Sequence, residues 1–219
     1  MKISPLFLFI TFLLLPSCAS IKTYTEPPIE NGIQYGVASW YGDKFHGRPT
    51  ASGVIYDMYG ISAAHKTLPL GTIVRVKNIK NGKEIEVVIN DRGPFVDGRI
   101  LDFSFGAAEK VDMVKDGLTP IRLEIIGRDP SYIKGIEVGN SDKGEDFVVQ
   151  VGSFTDHINA DRLKTVLEWG YGNVHIEEAA ASGTTYYRVR IGPYTDRTDA
   201  MKQARRLAEE GYNVWVTGK

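Results

Sequence analysis

Between Thr50 and Ser104 the sequence gathers side chains suited to moving a proton. Tyr56-Asp57-Met58-Tyr59 is followed, eight residues after Asp57, by His65 in Ala63-Ala64-His65-Lys66-Thr67. Ile89-Asn90-Asp91-Arg92-Gly93-Pro94 is followed by Arg99-Ile100-Leu101-Asp102-Phe103-Ser104. Each of these polar groups stands beside glycine or small residues, so three carboxylates and an imidazole can converge on one cleft. A carboxylic acid that works near neutral pH needs a raised pKa, from burial or from a neighbouring carboxylate. Asp91 and Asp102 flank a short turn and are placed to repel one another. Each residue also has a plainer use: Asp91 can cap a turn, Asp102 can pair with Arg92 or Arg99, and His65 can satisfy a buried backbone group.

The elements that must hold these groups are short strands. Lys80-Asn81-Gly82-Lys83 is an Asn-Gly hairpin signal between two alternating segments. Val74 and Val76 face one way on the first, and Ile85, Val87 and Ile89 on the second. Arg75 and Lys77 can lie opposite Glu84 and Glu86 on the wet face. The hairpin is scaffold, and it leaves Asp91 at a strand end. Further strands are expected over Tyr35–Gly42, Ile61–Ala64 and Pro120–Ile126. One helix is expected from about Phe105 to Lys115, with Ser104 as N-cap and Gly117 as stop. Six or so short strands and one helix in under a hundred residues describe a small β-barrel.

The chain has 219 residues, 42% apolar and 24% charged, with a formal net charge of −1. That is globular composition, room for one or two domains, and no counterion-releasing surface for nucleic acid. A single cysteine and four histidines, none at HExxH spacing, give no basis for a metal site, and no cofactor motif is present. The N-terminus carries Lys2 and then an apolar run, Leu6 to Leu15, too short to span a bilayer and suited to a signal-peptide core. Leu15-Pro16-Ser17-Cys18 resembles a bacterial lipobox, which implies cleavage after residue 17 and lipidation of Cys18. Ala19 in place of Asp implies outer-membrane sorting.

The barrel segment carries a resemblance. Thr50-Ala51-Ser52-Gly53 with Tyr56-Asp57-Met58-Tyr59, Ala64-His65-Lys66-Thr67-Leu68-Pro69-Leu70-Gly71, and Asn90-Asp91-Arg92-Gly93-Pro94 resemble the rare lipoprotein A family over roughly Tyr35 to Gly127. The resemblance implies a six-stranded double-psi β-barrel and a lyase, a lytic transglycosylase. Such an enzyme cuts peptidoglycan strands without water and leaves 1,6-anhydro ends. It makes Asp102 the first choice of general acid, with Asp57, His65 and Asp91 completing the catalytic set. The chain departs from the family at Val54, where active members carry Glu. The alternative reading is therefore a lipoprotein that binds glycan without cutting it.

From Phe147 the chain is an internal duplication. Val151-Gly152-Ser153-Phe154-Thr155-Asp156 recurs as Ile191-Gly192-Pro193-Tyr194-Thr195-Asp196, an offset of 40, and each half reads strand, helix, strand. The sum is βαββαβ, a ferredoxin-like split-βαβ sandwich with both helices on one sheet face. Period-two reading turns Phe147, Val149, Val151, Val189, Ile191, Val214 and Val216 to the helices. It leaves Gln150, His175, Tyr186, Arg188, Arg190 and Trp215 on the open face. Flat rings suit sugars and the cations suit carboxylates. This segment resembles the SPOR domain, which implies binding of peptidoglycan glycans stripped of their stem peptides. An RNA-binding use of the same sheet is opposed by the export signal, the charge and the lack of an aromatic RNP-like pair.

The expected organisation is thus a signal peptide (1–17), a tether (18–33), the barrel (34–127), a Gly/Pro-rich linker (128–145) and the SPOR domain (146–219). The expected partners are denuded glycan strands, the outer membrane through lipidated Cys18, and division-site proteins at the septum.

Overall fold

The computed structural model describes residues 26–139 and 146–218. The signal-peptide core, Cys18, the first part of the tether and residues 140–145 of the linker lie outside the described residues. No helix among the described residues is long and apolar enough to cross a membrane.

Six strands close the barrel: β1 (Ile33–Trp40), β2 (Ser62–His65), β3 (Thr72–Asn78), β4 (Glu84–Asp91), β5 (Arg99–Phe103) and β6 (Thr119–Arg128). Their order around the wall is β1-β5-β2-β4-β3-β6. The pairs β1–β5 and β2–β4 are parallel and the rest antiparallel. This is the expected double-psi β-barrel. Strict alternation along β3 buries Val74 and Val76, and Val87 and Ile89 of β4 meet them inside. On the wet face Arg75 pairs with Glu86 at 2.8 Å and Lys77 with Glu84 at 2.9 Å, opposite one another in register. Ile100, Leu101, Phe103, Ile121 and Leu123 complete the interior.

The helix after β5 is shorter than its sequence pattern predicts. It spans α1 (Phe105–Lys110), with Ser104 Oγ accepting the Ala107 amide as N-cap. Asp112 adopts a left-handed φ of 53°, which no helix interior accommodates. Val111 and Met113 still reach the barrel core, from turns instead of a continuing helix face.

The second half holds β7 (Ile136–Val138), β8 (Phe147–Phe154), α2 (His157–Glu168), β9 (Val174–Ala181), β10 (Thr184–Tyr194), α3 (Arg197–Glu209) and β11 (Val214–Gly218). The duplicated Thr-Asp pairs supply both helix N-caps. Asp156 accepts the Ile158 amide at 2.9 Å and Asp196 the Thr198 amide at 2.7 Å, each satisfying an end N–H that has no partner within the helix. Ala160, Leu167, Ala200, Ala204 and Leu207 pack on Val149, Val189, Ile191, Val214 and Val216, so both helices share one sheet face as expected. The sheet has five strands, β7-β11-β8-β10-β9, and not the four of the βαββαβ pattern. The linker adds the fifth, because Ile136–Val138 pair in parallel with Val214–Val216 and cover an edge that would otherwise stand open.

The two halves are docked. Leu70, at the lip of the barrel, is fully buried within the apolar cluster of the second half, and its amide bonds to the Glu210 carbonyl at 2.9 Å. Arg92 donates from Nε to the Tyr212 hydroxyl at 2.6 Å and from Nη1 to the Leu68 carbonyl at 2.7 Å, with its guanidinium 5.1 Å from the Tyr212 ring centre. Gly211 (φ 95°) lies so close to Leu70 that a Cβ there would fall 2.8 Å from the Leu70 Cβ. That contact requires glycine.

Candidate active site

Asp91 ends β4 and Asp102 lies in β5, on either side of β2. Both are in register with Ala64, Asp91 across the parallel pair and Asp102 across the antiparallel one. Two strand spacings separate them, roughly 10 Å between Cα atoms, and the small Ala64 between them lets the floor lie low. Asp91, Asp102 and Ala64 line a cleft of about 1420 Å³ together with Trp40, Tyr41 and Arg99.

The two carboxylates differ in what they bind. Asp91 Oδ1 accepts the amides of Ala51 and Arg92, each at 2.8 Å. Burial raises its pKa, and those amides and the charges of Arg92 and Arg162 oppose the rise. Asp102 accepts a short hydrogen bond from the Ser39 hydroxyl on β1, its register partner, and Arg99 stands 3.8 Å from its other oxygen. Burial also raises the Asp102 pKa, against Ser39, Arg99 and Lys66. The expected repulsion between the two carboxylates is not among the causes in either case, so desolvation replaces it as the reason these acids are hard to ionise. Two backbone donors aimed at Asp91 favour its anion, whereas Asp102, with one hydroxyl donor and a distant arginine, is better suited to carry a proton.

Tyr41 lies where both charges reach it. Burial first, then Asp91, Tyr56 and Asp102, push its phenol far up, so it stays neutral. Its hydroxyl is buried beside Ser62 without a well-formed hydrogen bond. A neutral, under-used donor that feels both carboxylates is a residue the sequence reading missed, as was Ser39; the pairing of Arg99 with Asp102 was among its readings. The strand-end position of Ser39-Trp40-Tyr41-Gly42 was visible in the sequence; its parallel pairing with β5 was not.

Asp57 and His65 stand elsewhere. Asp57 is exposed, caps its own turn through the Tyr59 amide at 3.1 Å and lies 3.8 Å from His46. His65 is fully buried. Its Nε2 faces Gln34 Oε1 at 2.9 Å, and its Nδ1 accepts the amides of Thr67 and Leu68 at 3.2 and 3.1 Å. That bonding fixes the tautomer with the proton on Nε2, and burial with the nearby charges of Arg92 and Lys66 lowers its pKa to about 3. With both nitrogens occupied and no access to the cleft, His65 does not assist proton transfer; it ties the β2 end to the following loop. Val54 is half exposed on the loop over the cleft, its carbonyl held by Thr50 Oγ1 at 2.9 Å.

On the second sheet, cross-strand register brings Trp215, Gln150, Arg190 and His175 into one row. Tyr186 and Arg188 lie four and two residues before Arg190 on the same face of β10. Arg190 is not a free donor. It is buried, pairs with Glu177 at 2.6 Å and lies 3.4 Å from Gln150 Oε1, so it and Gln150 form part of the platform. Gln150 and Trp215 also line the cleft that holds Asp91 and Asp102.

A barrel whose cleft carries two desolvated acids, joined to a duplicated α/β sandwich, is a double-psi barrel with an appended SPOR module. Residues 33–123 match the family model described as lytic transglycolase, and residues 143–218 match the SPOR domain. The chain is 40% identical over 179 residues to the Vibrio cholerae protein named endolytic peptidoglycan transglycosylase RlpA, covering 81% of this chain and 66% of that one. The Campylobacter jejuni protein of the same name is 38% identical, with 68% and 64% covered. The Neisseria meningitidis serogroup B protein of that name is 37% identical over 196 residues, with 85% and 77% covered. The chain belongs to this family, the rare lipoprotein A family. It spans just under two thirds of the length of the first two of these relatives.

Proposed function

We propose that the barrel is an endolytic lytic transglycosylase acting on peptidoglycan strands that lack stem peptides. The observation that carries this reading is the pair of part-buried acids, Asp91 and Asp102, set on either side of Ala64 at the floor of an open cleft. Asp102, protonated, gives its proton to the glycosidic oxygen as the bond to the muramoyl C1 breaks. Asp91, whose anion the two amides favour against the opposing effect of burial, faces the positive charge that develops on the sugar. The sugar's own 6-hydroxyl then closes on C1, its proton returns to the Asp102 carboxylate, and the product is a 1,6-anhydro end with no water consumed. A second, water-activating base is not needed, unlike inverting hydrolysis. Val54 fits this division of labour, because a group at its exposed loop position lies outside the desolvated floor.

The proposal extends to the rest of the chain: domains at 34–127 and 146–219, lipidation of Cys18, an outer-membrane anchor facing the periplasm, and placement at the septum by the SPOR sheet beside division-site proteins. The test is digestion of denuded sacculi by the wild type and by Asp102→Asn, with fragments read by mass spectrometry. Anhydro ends that fall at least about a hundredfold in the variant are expected for loss of a general acid. Reducing ends would make it a hydrolase. No fragments, with retention on the sacculi, would leave the glycan-binding lipoprotein, the reading that the missing Glu at Val54 favours.

A further inference from the structure

The cleft that holds the two acids does not belong to the barrel alone. Its far wall is α2 and the end of β8. Strand β11 begins only at Val214 and pairs with β8 no further than Gln150. Beyond that point the β8 edge, Val151 to Phe154, faces the cleft. The docking through Leu70, Arg92 and Tyr212 holds this wall in place. Arg162 of α2 crosses to the barrel, where its guanidinium lies 5.7 Å from the ring centre of Phe45. Its charge is felt by Asp91.

The cations of the cleft divide by what they are already doing. Arg92 is consumed by Tyr212 and Leu68, and Arg99 faces Asp102. Arg48 and Arg162 line the cleft with no carboxylate in ion-pair range among the described residues. The acids on the α2 side are engaged, Asp161 with His157 at 2.7 Å and Asp156 as helix cap. Of the two open cations, Arg162 alone is stacked on an aromatic ring, which pre-orders a side chain that would otherwise lose rotamer freedom on binding.

We propose that the second module forms half of the cutting cleft, and that Arg162 is a specificity-determining residue that reads a free lactyl carboxylate on the muramoyl residue bound over Asp91 and Asp102. This deepens the transglycosylase reading and rests on its glycan substrate. A strand bearing stem peptides has that carboxyl tied up as an amide, and a denuded strand presents it as an anion. A planar guanidinium pairs with the anion and gains little from the amide. Discrimination between the two kinds of strand is then built into the cutting cleft itself.

The test uses binding, so it does not depend on turnover. The two-module protein, labelled with nitrogen-15, is titrated with a GlcNAc-MurNAc tetrasaccharide bearing free lactyl carboxylates and with its methyl ester. The acid is expected to bind about tenfold tighter than the ester and to shift the Arg162 Nε–Hε resonance, which the ester leaves in place. Arg162→Ala should bring the acid down to the affinity of the ester, and Arg162→Lys should recover part of the difference. Equal binding of acid and ester by the wild type, no binding of either, or a preference that survives in Arg162→Ala overturns the proposal. Absence of anhydro products in the sacculus assay, with this preference intact, overturns only the enzyme reading.

Discussion

At the scale of residues, burial decides which polar groups can do chemistry and which hold the fold. His65 and Asp102 both sit near β2, and burial moves both away from their charged forms, but with opposite consequences. Asp102 keeps a face on the cleft, so its resistance to ionising suits the proton donation proposed for it. His65 has none, and its neutral ring is a structural hydrogen-bond hub. The His65 pKa is lowered to about 3 in the folded chain, while the unfolded chain takes the proton near 6.5. The stabilising contribution is therefore full above pH 6.5 and is lost as pH falls from there toward 3, at about 1.4 kcal/mol per pH unit. Denaturant unfolding at pH 7 and pH 5 should show this slope in the wild type and a flatter one in His65→Gln. Parallel slopes in the two proteins would refute the assignment.

At the scale of elements, the site is held by an arrangement of short strands and a six-residue helix pinned at its first turn. Ser104 Oγ caps α1, receives the Ser62 amide at 3.2 Å and donates to the Gly60 carbonyl at 2.7 Å. Gly106 lets that turn press on the neighbouring loop, since a Cβ there would stand 2.3 Å from the Tyr59 carbonyl oxygen. The obstacle is backbone and cannot rotate aside, so Gly106→Ala should cost about 1–3 kcal/mol in chemical denaturation. A neutral effect would mean that the loop moves freely and is not fixed by α1.

At the scale of the whole molecule, the barrel and the SPOR module are coupled through a contact that begins one residue from a candidate acid. Asp91 and Arg92 are neighbours in sequence; one faces the cleft and the other clamps Tyr212. Leu70 completes the apolar cluster of the opposite module. The wild type should therefore melt in a single calorimetric transition. Leu70→Ala, which empties a buried site worth roughly 2–5 kcal/mol, should split it into two. A wild type that already melts in two steps would contradict rigid docking.

Local pattern, with the family resemblance, was enough to read the hairpin, the barrel class, the duplicated sandwich, the Ser104 helix cap and the inward faces of the sandwich strands. Each follows from periodicity, turn chemistry or near neighbours in the chain. The end of α1 at Lys110 and the fifth strand from the linker were not legible. One depends on a left-handed residue, and the other on an edge left free by a distant strand. The candidate site divides in the same way. Asp91 was visible as a carboxylate at a strand end and Asp102 as its counterpart across a short turn, but their placement about Ala64 required the barrel to close. That closure, pairing β1 with β5 and β2 with β4, gave Ser39 to Asp102, brought Tyr41 within the field of both acids and excluded His65 and Asp57 from the cleft. The docking of the second module then brought Arg162 to Phe45. Residue types and periods are local and survive in a one-dimensional string, whereas desolvation, register across parallel strands and contact between modules exist only once the chain has folded.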